Sequence, residues 1–177
     1  MKKNSIIPKG IYRDRLITKS GKNFDSGWQS NIIVDHCREL LGAFMAGNTD
    51  AHGIQLIAIG QGDPAWDTTQ PGAPTPGISQ LEDSSAFTLA ADSSLFTLEY
   101  LNASNDPVPD PTNRVQISVS LEPGSPPVEV GKETYALREF GLFGRIGTEN
   151  YMIDYVRHAV INKGPDDTLL RTIRLVF

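Results

Sequence analysis

The chain has 177 residues, 39% of them apolar, with 16 glycines, 12 prolines, one cysteine and a formal charge of −5. One cysteine excludes an internal disulfide, the acidic balance argues against a nucleic-acid binder built on phosphate contacts, and no apolar run approaches the ~20 residues of a membrane helix. The basic start reaches only two apolar residues before Pro8, which is not a secretory signal, so the expectation is an acidic soluble protein of a reducing cytoplasm or of a particle assembled there, with no nucleic-acid or membrane partner.

In chain order, residues 1–10 read as a flexible arm and 11–177 as one β-rich domain. Alternation of Tyr12, Leu16 and Thr18 among charged neighbours predicts a first strand, turned at Ser20–Asn23. A helix is expected next. Asn31 is placed to cap it, and Ile33, Cys37, Leu40, Leu41 and Phe44 form one apolar stripe that Gly47 and Asn48 terminate. Trp28 stands just ahead of that cap, where it is expected to pack on the first turns. The run Ile54–Ile59 predicts a buried strand that ends in Gly60-Gln61-Gly62. Residues 61–80 are rich in Gly, Pro, Thr and Gln around Trp66. They read as a protruding loop or arm, since long structureless loops in compact domains commonly serve interactions. Short alternating runs follow around Phe87–Leu101 and at Val115–Leu121, divided by proline-rich turns.

The closing third alternates most clearly. Runs at 135–144, 151–161 and 169–177, separated by turns at Arg145–Asn150 and Asn162–Asp167, predict an antiparallel meander. The last strand ends on Phe177, which is expected inside a sheet because burying it is worth roughly 1.5–3 kcal/mol. Together with one helix of about four turns, roughly seven or eight short strands make a mainly β fold of the α+β kind. The expected arrangement is an antiparallel sandwich or barrel-like sheet with the helix packed on it and long Pro/Gly-rich loops.

No pattern carries catalysis. Gly60-Gln61-Gly62 lacks the third glycine and the helix that a dinucleotide loop needs. His36, His52 and His158, with Cys37, Asp50 and Asp154, lack metal-ligand spacing, and Cys37 lies on the apolar stripe as a buried small hydrophobe. The expectation is therefore no catalytic residue, no metal and no cofactor. Glu139 is the informative polar residue, because it shares a face with Tyr135 and Leu137. Either it pairs with Arg157 or Arg171, which lie on apolar faces of the next two strands, or it projects at a sheet edge.

Four segments occur in order: Trp28-x-x-Asn31-Ile32-Ile33-Val34-Asp35, then IQLIAIGQGDP, then Arg138-Glu139-Phe140-Gly141-Leu142-Phe143, then a closing I-N-K…L…I-x-L-x-F strand. From Trp28 to Phe177 this resembles small structural proteins of tailed bacteriophages and related contractile injection particles. The resemblance implies a virion building block of the tail, baseplate, collar or neck, assembled in the host bacterial cytoplasm. Such a subunit works by homo-oligomerisation and by docking to other virion proteins. The residues expected to carry structure and contact are Trp28, Trp66, Glu139, Arg157, Arg171 and Phe177. The rival expectation is a receptor- or carbohydrate-binding module whose ligand is a host surface glycan.

Overall fold

Alternation becomes strand almost wherever it occurs. The computed structural model describes residues 8–69 and 71–177. Its strands are β1 (Lys9–Ile17), β2 (Asn23–Asp25), β3 (Gln29–Ser30), β4 (Ile32–Ile33), β5 (Ala51–Gly60), β6 (Phe87–Ala90), β7 (Phe96–Leu101), β8 (Pro107–Val108), β9 (Arg114–Leu121), β10 (Tyr135–Ile146), β11 (Glu149–Lys163) and β12 (Thr168–Val176). One α-helix, α1, spans Asp35–Met45, and a 3₁₀ turn spans Pro64–Asp67. Of the arm expected at 1–10, residues 1–7 lie outside the described residues, and Lys9 and Gly10 already belong to β1.

The protein is mainly β, with two antiparallel sheets and this helix. The seven-stranded sheet runs β2-β1-β12-β9-β7-β8, with β3 also paired to β1, and the five-stranded sheet runs β4-β11-β10-β5-β6. The expected meander is thus only half present. β10 and β11 form a hairpin, but β12 leaves for the other sheet and lies between β1 and β9. Alternation specifies a strand and its buried face but not its neighbour. The partner of β12 is set by side chains far away in sequence, above all Asp14 opposite Arg171.

One apolar cluster draws on both sheets. Tyr12, Leu16, Ile117, Val119, Ile173 and Leu175 come from the larger, and Ile57, Ile59, Leu137, Phe140, Leu142 and Val156 from the smaller. A second cluster lies on the other face of the five-stranded sheet. There Ala58, Phe143, Met152 and Tyr155 are covered by Ile78, Leu81 and Ala86 of the long connection after β5. β10 therefore has apolar contacts on both faces, which is why its sequence is a near-continuous apolar run. Gly144 lets α1 come close, since a Cβ there would sit 2.4 Å from Leu40 and 2.9 Å from the His52 carbonyl. Gly147, at φ 60°, makes the turn into β11.

The helix begins later than expected. Val34 occupies the cap position without a side-chain bond, and the Asp35 amide donates to the Pro76 carbonyl. Ile32 and Ile33 pair with β11 instead, so the apolar stripe at Ile33 belongs to a strand and only continues into the helix at Cys37 and Leu40. Asn31 caps nothing, because its amide donates to the buried Asp154 carboxylate.

Candidate functional site

The polar core is built where β1, β12 and β11 meet. Tyr12, Asp14 and Leu16 point inward from β1, and Leu169, Arg171 and Ile173 from β12. Asp14 and Arg171 face each other in register and are both fully buried. Arg171 Nε donates to Asp14 Oδ1 at 2.7 Å and Nη2 to Oδ2 at 2.9 Å, a bidentate fork. The guanidinium carbon stands 3.8 Å from the centre of the Phe140 ring, and Tyr12 meets that ring edge-on at 5.3 Å.

His158 closes this cluster from β11. Its Nδ1 is 2.8 Å from the Ala159 carbonyl and its Nε2 is 3.1 Å from Arg171 Nη2. A neutral ring with hydrogen on Nδ1 satisfies both contacts, donating to the carbonyl and accepting from the arginine. Burial, then the Arg171 charge, push the imidazole pKa down to about 4. Burial likewise raises the Tyr12 hydroxyl to about 12. At neutral pH the ring is an acceptor held in place, far from the range of a general base.

Two clefts meet at Arg157, His158 and Ala159. One, of about 410 Å³, opens between that segment and the β1–β3 region and presents Phe24, Asp25, Ser26 and Gln29. The other, of about 490 Å³, lies between it and Trp66, Pro71, Gly72 and Pro74. Arg157 separates them. Its guanidinium lies 4.3 Å from the Trp66 ring centre and donates to the Gly72 carbonyl at 3.0 Å. Asp67 takes a bidentate bond from Arg138 at 2.8 and 2.6 Å, which holds the Asp67 carboxyl below its usual range. The 61–80 segment, expected to protrude, is therefore anchored at Trp66, Asp67, Gly72, Pro76 and Ile78.

Glu139 follows neither sequence-based expectation. It is fully buried in a central strand, opposite Arg157 in register, yet among the described residues it forms no ion pair with that arginine or any other. Its oxygens accept the Glu82 amide at 3.1 Å, the Asp83 amide at 2.8 Å and the Tyr155 hydroxyl at 2.7 Å. Two amides and a hydroxyl satisfy a buried carboxylate without a cation, which leaves Arg157 to stack on Trp66. Arg171 is equally committed to Asp14. Trp28 is 38% exposed, and Arg174 stacks on its ring at 4.4 Å. Phe177 lies one residue past β12, partly buried against the core, with its amide donating to the Asn113 carbonyl at 2.9 Å.

Asp154 is a second buried carboxylate. It accepts the Leu142 amide at 2.8 Å and the Asn31 amide, while burial raises its pKa to about 6. Sequence reasoning passed over Asp14, although it lies between Tyr12 and Leu16 on the inward face of a strand, and that position was the available signal. Cys37 is buried and its thiol is pushed up to about 11, so thiolate is scarce at neutral pH. Among the described residues no group of three or more His, Cys, Asp or Glu converges as metal ligands. Comparison with known protein families, with curated proteins and with solved structures finds no match to this chain.

Proposed function

We propose that this chain is a non-enzymatic structural subunit of a tailed-phage particle, in the tail, baseplate, collar or neck, which works by self-association and by docking on neighbouring virion proteins. In this reading the two sheets form a β-sandwich that serves as a rigid block. One observation carries it: the ionisable side chains of the core are occupied with one another or with the backbone. Asp14 holds Arg171, Arg171 holds His158, and Glu139 holds two amides and Tyr155. Groups so engaged rigidify a frame and are poorly poised to react with a substrate. The segment order that resembles phage structural proteins points the same way. The test is cryo-electron microscopy and protein identification on native particles: repeated density fitted by this fold supports the reading, and purified particles lacking the chain overturn it.

A second reading, a glycan- or receptor-binding module, draws on the cleft beside Phe24, which is 47% exposed next to Asp25 and Gln29. Trp66 serves it poorly, because Arg157 already covers a face that a sugar ring would stack on. Binding on a glycan array that is lost in Phe24→Ala would favour this module over the building block.

A further inference from the structure

Among the described residues, nothing packs across the outer face of the seven-stranded sheet as residues 78–86 do on the smaller one. Along β12 the outward residues Thr168, Leu170, Thr172, Arg174 and Val176 are all partly exposed, and on β1 Ile11, Arg15 and Ile17 are exposed. Register places Arg13, Arg15, Arg114 and Arg174 on this face, around an apolar ground of Ile11, Leu170, Val176 and Trp28. Asp25 (bridged to Arg13), Glu99, and Glu122 beside Ser120 at the end of β9 oppose them in charge. A chain of net charge −5 thus gathers arginines on one sheet face.

The complement lies on the same molecule. The connection from β9 to β10 carries Glu129 and Glu133 on either side of the fully exposed Val130; Lys132 bridges Glu129 at 3.0 Å, and Glu133 with the neighbouring acidic residues keeps this end of the molecule negative. Asp63 and Glu82 are exposed close by, where Gln61 donates to Glu129 and the Glu82 amide to Glu139. We infer that this acidic loop of one copy docks on the arginine-bearing sheet face of the next, a head-to-tail contact that rests on the building-block reading above. Two sheet faces pressed together would set arginine against arginine, which disfavours the self-complementary arrangement. A contact between unlike patches repeats into a ring or a filament. The face spans roughly 600–800 Å² at ~4.8 Å per strand and ~3.3 Å per residue, close to the ~800 Å² per partner of a standard interface.

The test uses the full chain in sedimentation velocity at low and high salt, with two charge-reversed variants: Arg15→Glu with Arg114→Glu on the face, and Glu129→Lys with Glu133→Lys on the loop. Circular dichroism melts verify that both fold. The expected result is salt-sensitive association of the wild type, weakened at least ~10-fold in either variant alone. Mixing the two variants restores it and builds species beyond a dimer. Wild-type assembly indifferent to both variants overturns the proposed surfaces and leaves the building-block reading standing. Association kept by the loop variant but lost by the face variant means that two like faces meet, and overturns the head-to-tail contact. A wild type that stays monomeric at low salt overturns the proposal too, while the presence of the chain in native particles tests the building-block reading separately.

Discussion

The two sheets solve the same problem differently. The five-stranded sheet is covered on both faces, by the shared core within and by residues 78–86 without. The seven-stranded sheet is covered on one face and leaves arginines and scattered apolar side chains on the other. What keeps the cover on the smaller sheet is one carboxylate, Glu139, gripping the amides of Glu82 and Asp83. A polar anchor under an otherwise apolar lid gives it a single register, which apolar contact alone leaves loose. Among the described residues the open sheet has no such lid, and its outward polar groups are held by partners beside them, as when Arg174 donates to Gln116 and stacks on Trp28.

This contrast can be broken in order of size. Arg171→Ala removes the cation that joins the two sheets and strands Asp14 in the core, so a loss of about 3–5 kcal/mol is expected in urea unfolding. Glu139→Ala leaves two amides and the Tyr155 hydroxyl without their acceptor. A loss of about 2–3 kcal/mol is expected, with fast hydrogen exchange confined to 78–86; uniform exchange across both sheets would refute the role given to the lid.

His158 and Asp154 sharpen the comparison through pH. The folded imidazole pKa is lowered to about 4 from 6.5, so His158 contributes stability that is complete above pH ~6.5 and lost as pH falls toward ~4. The folded Asp154 pKa is raised to about 6 from 3.8, so its contribution is complete below pH ~3.8 and lost as pH rises through ~6. The two oppose each other over one window. Asp154→Asn is expected to leave stability rising with pH between about 4 and 6.5, and His158→Gln to leave it falling, each by on the order of 2 kcal/mol. Denaturation midpoints across that range check the signs, and parallel profiles in the two variants would refute them. The smallest effect belongs to the open face. Arg13→Ala breaks the exposed bridge to Asp25 and is expected to leave the thermal midpoint within calorimetric error of the wild type.

The legible parts of the fold were those with local causes. Alternation marked β9, β10 and β12, the apolar run marked β5, and Gly47 marked the end of α1 at φ 72°. The failures share a non-local cause. Asn31 has the chemistry of a cap, but a buried carboxylate 123 residues away takes its amide. Asp14 shows its purpose only with Arg171, 157 residues along the chain. In β11 the register shifts opposite Leu137/Glu139 and Leu142/Phe143, so strict two-residue counting assigns the wrong faces: Ile153 faces the shared core while Tyr155 faces the lid. Glu139 suggested either an ion pair or a sheet-edge position, because amides arriving from a loop leave no trace in a residue pattern.

The pairing of β1 with β12 bears on how the molecule comes into being. Residues 9–17 have as their main neighbour residues 168–176, which are made much later. Until these emerge, Asp14 stays hydrated, Tyr12 has no Arg171 behind the ring it packs on, and β9 lacks the strand that links it to β1. Closing the larger sheet thus waits for residues 168–176 and is slowed by the long loop that must close. A nascent chain stalled short of residue 168 should remain sensitive to protease throughout the larger sheet.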